Sequence, residues 1–113
     1  MASKFCKNSP KSFRMSNARF RFHPEAREDL RAAIRWYRDR NRAVAAEFRV
    51  TVSEVIGQIV QAPKRWPKHL HGTRRFVLDR FPFSIVYLDD PDLLKIVAVA
   101  HSKRKPGYWK RRL

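Results

Sequence analysis

Residues 20–40, FRFHPEAREDLRAAIRWYRDR, change their hydrophobic period once, and the change falls between Phe22 and Pro24. From about Ala18 to His23, Phe20 and Phe22 alternate with Arg19 and Arg21. That is the period-2 pattern of a short, half-buried strand. From Pro24 onward, Ala26, Leu30, Ala33, Ile34 and Tyr37 recur at helical spacing. Proline suits a first helical position, because its missing N–H would have no partner there and its fixed φ is already helical. Glu25, Glu28 and Asp29 then complement the positive end of the helix, and His23 falls at the N-cap. The pattern predicts a helix to about Arg40, with Arg27, Arg31, Arg35 and Arg38 on its other faces.

The same reading extends down the chain. After a short break near Asn41, the apolar stripe Val44, Phe48, Val52, Val55, Ile56 and Ile59 predicts a second helix, ended by Ala62-Pro63. The stretch 63–73, PKRWPKHLHGT, reads as loop. Three runs then predict strands: Arg75–Leu78, Phe83–Leu88 and Leu94–Ala100. Phe81-Pro82 separates the first two, and Asp89-Asp90-Pro91-Asp92 is a strong turn signal between the last two. A helical hairpin must bury its stripe on something, and a small sheet with one apolar face is the available partner. The expected fold is α+β, order β-α-α-β-β-β, a helical hairpin packed on a small twisted antiparallel sheet. The first strand is expected to return to that sheet, because a hairpin-sized sheet alone is marginal.

Residues 18–113 are expected to form one domain with a basic C-terminal tail. Residues 1–17 read as a disordered basic extension, and initiation at Met15 would remove most of it. The composition bounds the partners. Twenty-six Lys and Arg against 10 Asp and Glu give a formal charge of +16, which attracts polyanions or acidic proteins over long range. The lone Cys6 builds neither a disulfide framework nor a zinc knuckle. The chain has no apolar run of membrane-spanning length and no secretory signal pattern, so no membrane association and a cytoplasmic setting are expected. With three glycines there is no phosphate-cradling loop, and no cofactor is expected.

From about Arg21 to Arg112 the chain resembles the RelE/ParE toxin family of type II toxin–antitoxin systems. The resemblance is carried by FHPEAREDLRAAIRWY, GTRR, RFPFSIVY and AVAHSKRKPGYW, in that order and spacing. It implies a helical hairpin against a twisted antiparallel sheet, and a cognate antitoxin whose toxin-wrapping segment is acidic. It leaves two targets open: RelE-like members cut mRNA on the ribosome, whereas ParE-like members inhibit DNA gyrase without being nucleases.

Metal-free RNA cleavage needs a base, an acid and cations around the phosphate. His101, Arg104 and Tyr108 are the candidate catalytic set, with Lys103 beside them. Imidazole titrates near neutrality, guanidinium can grip a phosphate bidentately, and a phenol can donate a proton or stack on a base. Set against this, His101 can equally cap a strand, and Tyr108 and Trp109 can simply pack the tail on the sheet. Arg74, Arg75, Lys103, Arg104, Lys105, Lys110, Arg111 and Arg112 are the candidate residues for binding a target or nucleic acid. By resemblance, Ser84 stands where the nucleases carry a middle-strand arginine, and Val77 where they carry a second basic residue. His101 followed by Arg104 resembles the strand end of ParE-like members. The balance favours a non-catalytic ParE-like toxin, with a ribosome-dependent RNase and a non-toxic nucleic-acid-binding module as alternatives. His69 and His71, two residues apart without Cys or a carboxylate, are weak metal ligands by spacing, and no metal site is expected.

Overall fold

His23 accepts the Glu25 N–H through Nδ1 at 3.0 Å, and with Pro24 behind it the chain leaves the first strand directly into a helix. The computed structural model describes residues 20–113; the expected extension at 1–17 and the start of the first strand lie outside them. Strand β1 is Phe20–Phe22, helix α1 Pro24–Arg40 and helix α2 Arg42–Gln61. Strands β2 (Arg74–Val77), β3 (Phe83–Leu88) and β4 (Leu94–His101) follow. Asn41 serves both helices. Its N–H donates to the Tyr37 carbonyl at 2.7 Å, and its side chain accepts from Ala43 and Val44 N–H. One residue therefore satisfies groups that each helix end would otherwise orphan.

The element order and fold class are those expected from the sequence. The sheet order is β1-β4-β3-β2. Strands β2, β3 and β4 are antiparallel neighbours, and β1 joins the edge of β4 in parallel, Phe20 opposite Leu94 and Phe22 opposite Ile96. The sheet is thus mixed rather than wholly antiparallel. The register of β3 on β4 passes from Val86 opposite Ala98 to Tyr87 opposite Ile96, which leaves Val97 as an extra residue. This bulge changes which alternate residues of β4 face the helices. Leu94, Ile96 and Val99 reach the helix-side core, while Val97 and Ala98 point to the other face.

The helix-side core joins Ala26 and Ala33 of α1, Phe48, Val52, Val55, Ile56 and Ile59 of α2, and Phe83, Ile85 and Tyr87 of β3. Phe48, Phe81 and Phe83 stack about one another with centroids 5.0 and 5.1 Å from Phe48. A second, smaller cluster lies on the opposite face, where Trp109 from the tail covers Val86, Val97 and Ala98. Gly107, at φ 85°, lets the tail double back, and Trp109 meets the rings of His69 and His71 at 5.9 and 5.8 Å. The 69–72 loop and the tail therefore pack on each other across this face.

The loop after α2 is pinned to the sheet by charge and by one phenol. Tyr87 donates its hydroxyl proton to the Pro63 carbonyl at 2.6 Å, and burial pushes its pKa up to about 12. Arg74 binds Asp89 through Nε at 2.8 Å and the carbonyls of Lys64 and Trp66 through one terminal nitrogen. Burial alone would raise the Asp89 carboxyl, but hydrogen bonds and charge from Arg74 and Lys64 outweigh it and hold it below its usual value. A carboxyl depressed in the folded state contributes stability that is present above its unfolded pKa and lost as the pH falls through its folded one. The stability difference between the parent and Asp89→Asn is therefore expected to shrink as the pH drops below about 4. Thermal melts at stepped pH measure it, and a difference constant with pH would contradict the assignment.

Candidate functional site

Strand β4 outruns its partner. β1 covers it only from Leu94 to Ile96, so the next polar groups on that edge, the Val97 carbonyl and the Val99 N–H, need other partners. Side chains supply them. Asp29 of α1 accepts the Val99 N–H at 3.2 Å, and Arg112 of the tail donates to the Val97 carbonyl at 3.0 Å. The two also bind each other through both guanidinium ends, at 2.8 and 3.3 Å, with only 5% of the Arg112 side chain and 12% of the Asp29 side chain exposed. Tyr108 completes the cluster by donating its hydroxyl proton to Asp29 at 3.0 Å. Burial first, and then the charge and hydrogen bond of Asp29, push the Tyr108 pKa up to about 12. Nearby, Glu25 accepts from Arg111 at 2.8 Å and lies 3.5 Å from Arg112 Nε.

Asp29 and Tyr108 of this cluster line a groove of about 450 Å³ between α1 and the segment that follows β4. Ala33, Tyr37, Phe83 and Val99 lie along it, with Trp36 on one side and His101, Lys103 and Arg104 on the other. Four of the predicted site residues, the candidate catalytic His101, Arg104 and Tyr108 and the candidate binding residue Lys103, thus share one groove. The Arg104 guanidinium lies over the Tyr108 ring, 3.8 Å from its centroid, and the Arg104 N–H closes a turn onto the His101 carbonyl. The His101 ring stands edge-on to Phe83 at 4.9 Å, and its Nδ1 accepts the Lys103 N–H at 3.0 Å. With Nδ1 as acceptor, the neutral ring carries its proton on Nε2 and offers a donor outward. Tyr108 is likewise committed, its proton directed to Asp29.

The other predicted cations are dispersed. Arg74 and Arg75 sit on β2, separated from β4 by β3 and so roughly 10 Å away across the sheet. Arg74 is turned onto Asp89, whereas Arg75 is exposed; burial first, and then the charges of Arg75 and His71, lower the pKa of His69. Lys105 and Lys110 are exposed, Arg111 is paired with Glu25, and Arg112 is buried against Asp29. His69 and His71 are occupied in packing on Trp109. Among the described residues, no three His, Cys, Asp or Glu side chains cluster as metal ligands, and no helix is long and apolar enough to cross a membrane.

Two residues central to the groove do not stand out from sequence patterning. Asp29 reads as one more acidic residue near a helix start, yet it lies three positions after buried Ala26 and four before buried Ala33. That spacing places it on the inward face. Trp36 is 53% exposed but held: Arg40 lies 3.7 Å over its ring and donates to its carbonyl, and Tyr37 meets it edge-on at 5.2 Å.

Comparison with known proteins adds an independent finding. The family model described as "ParE toxin of type II toxin-antitoxin system, parDE" matches residues 20–106. Among solved structures, the fold is similar to a chain described as "Chromosomal ParDE TA system from P. aeruginosa", with TM-score 0.67 and 18% identity over 75% of this chain and 96% of that one. No curated protein matches the sequence significantly.

Proposed function

Because the chain belongs to the ParE toxin family of type II toxin–antitoxin systems, we propose that it is a cytoplasmic toxin that arrests growth by binding DNA gyrase, not by cutting RNA, until an acidic antitoxin neutralises it. The observation that carries the non-catalytic reading is the engagement of its candidate catalytic groups. Tyr108 gives its proton to Asp29, His101 holds the Lys103 N–H on Nδ1, and Arg104 stacks on Tyr108. Around the remaining sheet face, Ser84 and the exposed Val77 stand beside Arg75, so cations do not converge on a phosphate-sized position as phosphoryl chemistry requires. The charge of +16 supports an acidic partner.

Induced expression in a bacterial host is expected to stop growth, with filamentous cells and uncut transcripts, and the purified chain to inhibit gyrase supercoiling. Codon-linked cuts appearing before growth stops would replace this reading with a ribosome-dependent RNase, in which His101, Arg104 and Tyr108 act on RNA. Absence of arrest would favour a nucleic-acid-binding module.

A further inference from the structure

We propose that the outer flank of α1 is a binding surface for duplex DNA, a straight ridge of arginines that lies along the phosphate backbone. This goes beyond the toxin reading above and does not depend on it, since neither growth arrest nor a protein partner enters the argument.

Arg27, Arg31, Arg35 and Arg38 follow one another at steps of four, four and three residues. At 3.6 residues a turn, that sets them within about 80° of one another around the helix axis and over about 17 Å along it. All four are exposed. Buried Ala26 and Ala33 fall on the far side of the helix, and Asp29 and Trp36, which line the groove, are turned well away from the ridge. The ridge is thus a separate surface. Its charge is largely available. Among the described residues, no carboxylate pairs with Arg27 or Arg38. Glu28 lies 3.6 Å from both Arg31 and Arg35, but all three side chains are more than half exposed, so these pairs are weak and a phosphate can displace them. Arg27 is steadied by the Phe22 ring, 5.6 Å below its guanidinium.

The chemistry favours a duplex over other acidic partners. Guanidinium grips phosphate bidentately, and a rigid row of cations suits a rigid rod carrying one charge per about 1.7 Å of axis. A single strand asks for exposed rings on which its bases stack, and a protein partner for a large apolar anchor. The ridge has neither, because the exposed aromatic of α1, Trp36, lies on the groove side beneath Arg40. The tail offers no comparable row: Arg111 and Arg112 are paired with Glu25 and Asp29, and Lys103 and Arg104 line the groove. Glu28 and Asp39 border the ridge on one side and oppose deeper entry into a DNA groove, so the contacts stay on the backbone and carry no sequence preference.

The test is binding of the full chain to a labelled duplex of about 20 base pairs, followed by fluorescence anisotropy at stepped salt. The triple variant Arg27→Gln, Arg31→Gln, Arg38→Gln is expected to bind at least about 30-fold more weakly near 0.1 M salt, with the slope of log K against log salt reduced by about 2 to 3. A second triple variant, Arg49→Gln, Arg65→Gln, Lys68→Gln, removes the same charge from exposed positions off the ridge. It is expected to change the affinity less than about 5-fold. Melting temperatures establish that both are folded. Equal losses in the two variants would mean that net charge alone attracts DNA, and an unchanged salt slope in the first that its arginines touch no phosphate; either overturns the proposal. It is also wrong if a single-stranded oligonucleotide of the same length binds more tightly than the duplex and depends equally on the ridge. If the ridge variant keeps duplex binding and instead loosens the complex with the protein encoded by the adjoining gene, the flank is a protein interface and the proposal falls.

Discussion

Trp109→Ala is expected to destabilise the fold by about 3–5 kcal/mol, the range for a fully buried large aromatic replaced by alanine. Trp109 is 1% exposed, and it is the largest contributor to the small core on the sheet face opposite the helices. Its removal leaves Val86, Val97 and Ala98 facing a void, and it withdraws the surface on which His69 and His71 rest. Collapse cannot fill that void easily, because the helices lie on the other side of the sheet. For a domain of this size each kcal/mol shifts the melting temperature by roughly 4–8 °C. The variant is therefore expected to be partly unfolded at growth temperature, and Trp109→Phe to recover more than half the loss. Urea denaturation measures both. A cost below about 1 kcal/mol would mean that the tail is not seated on the sheet.

The second large effect is at Asp29. Asp29→Ala leaves the buried Arg112 with only the more exposed Glu25, 3.5 Å from its Nε, as counter-charge and strips partners from the Val99 N–H and the Tyr108 hydroxyl, at an expected cost of about 3 kcal/mol. Arg112→Met, which keeps much of the volume, removes the cation instead. In the double variant neither orphan charge remains, so the combined cost is expected to be well below the sum of the singles. Strict additivity would sink the pairing. Together the two residues alter how the tail should be dissected. Deleting 101–113 removes Trp109 and Arg112 along with the exposed cations, so a weakened complex would then report unfolding as much as lost contact. Reversals at Lys103 and Arg104 avoid this, because both side chains are exposed.

The parts of the fold legible in the sequence are those governed by neighbours along the chain. His23-Pro24, Asn41 and Ala62-Pro63 delimit the helices within a residue or so, because capping is a local matter. Asp89–Asp92 places the last turn for the same reason. The parallel pairing of β1 is not local: three residues with two phenylalanines read alike whichever way the partner strand runs. The bulge at Val97 is hidden for another reason. Leu94 to Ala100 is almost unbroken apolar sequence because both sheet faces are covered, so no alternation is left to reveal a change of parity. Arg112 lies in a run of basic residues, Lys110 to Arg112, and only the arrival of Asp29 from 83 positions earlier distinguishes it from its solvated neighbours. In the candidate site, His101, Arg104 and Tyr108 were legible as a group. Trp36 was masked by Tyr37, which carries the inward stripe.

The side-chain seal along the exposed length of β4 also has a kinetic meaning. Glu25 and Asp29 are tied to Arg111 and Arg112 across separations of 86 and 83 residues, and β1 pairs with β4 across a similar span. Such closures carry the largest loop entropy in the chain, whereas the helical hairpin and the β2–β3–β4 meander form from near neighbours. The order implied is hairpin and meander first, with β1 and the tail docking after the main barrier. Asp29→Ala should then leave the refolding rate almost untouched and appear nearly all in faster unfolding. The lifetime of the folded chain, and with it the time available to find a partner, is set at this one edge.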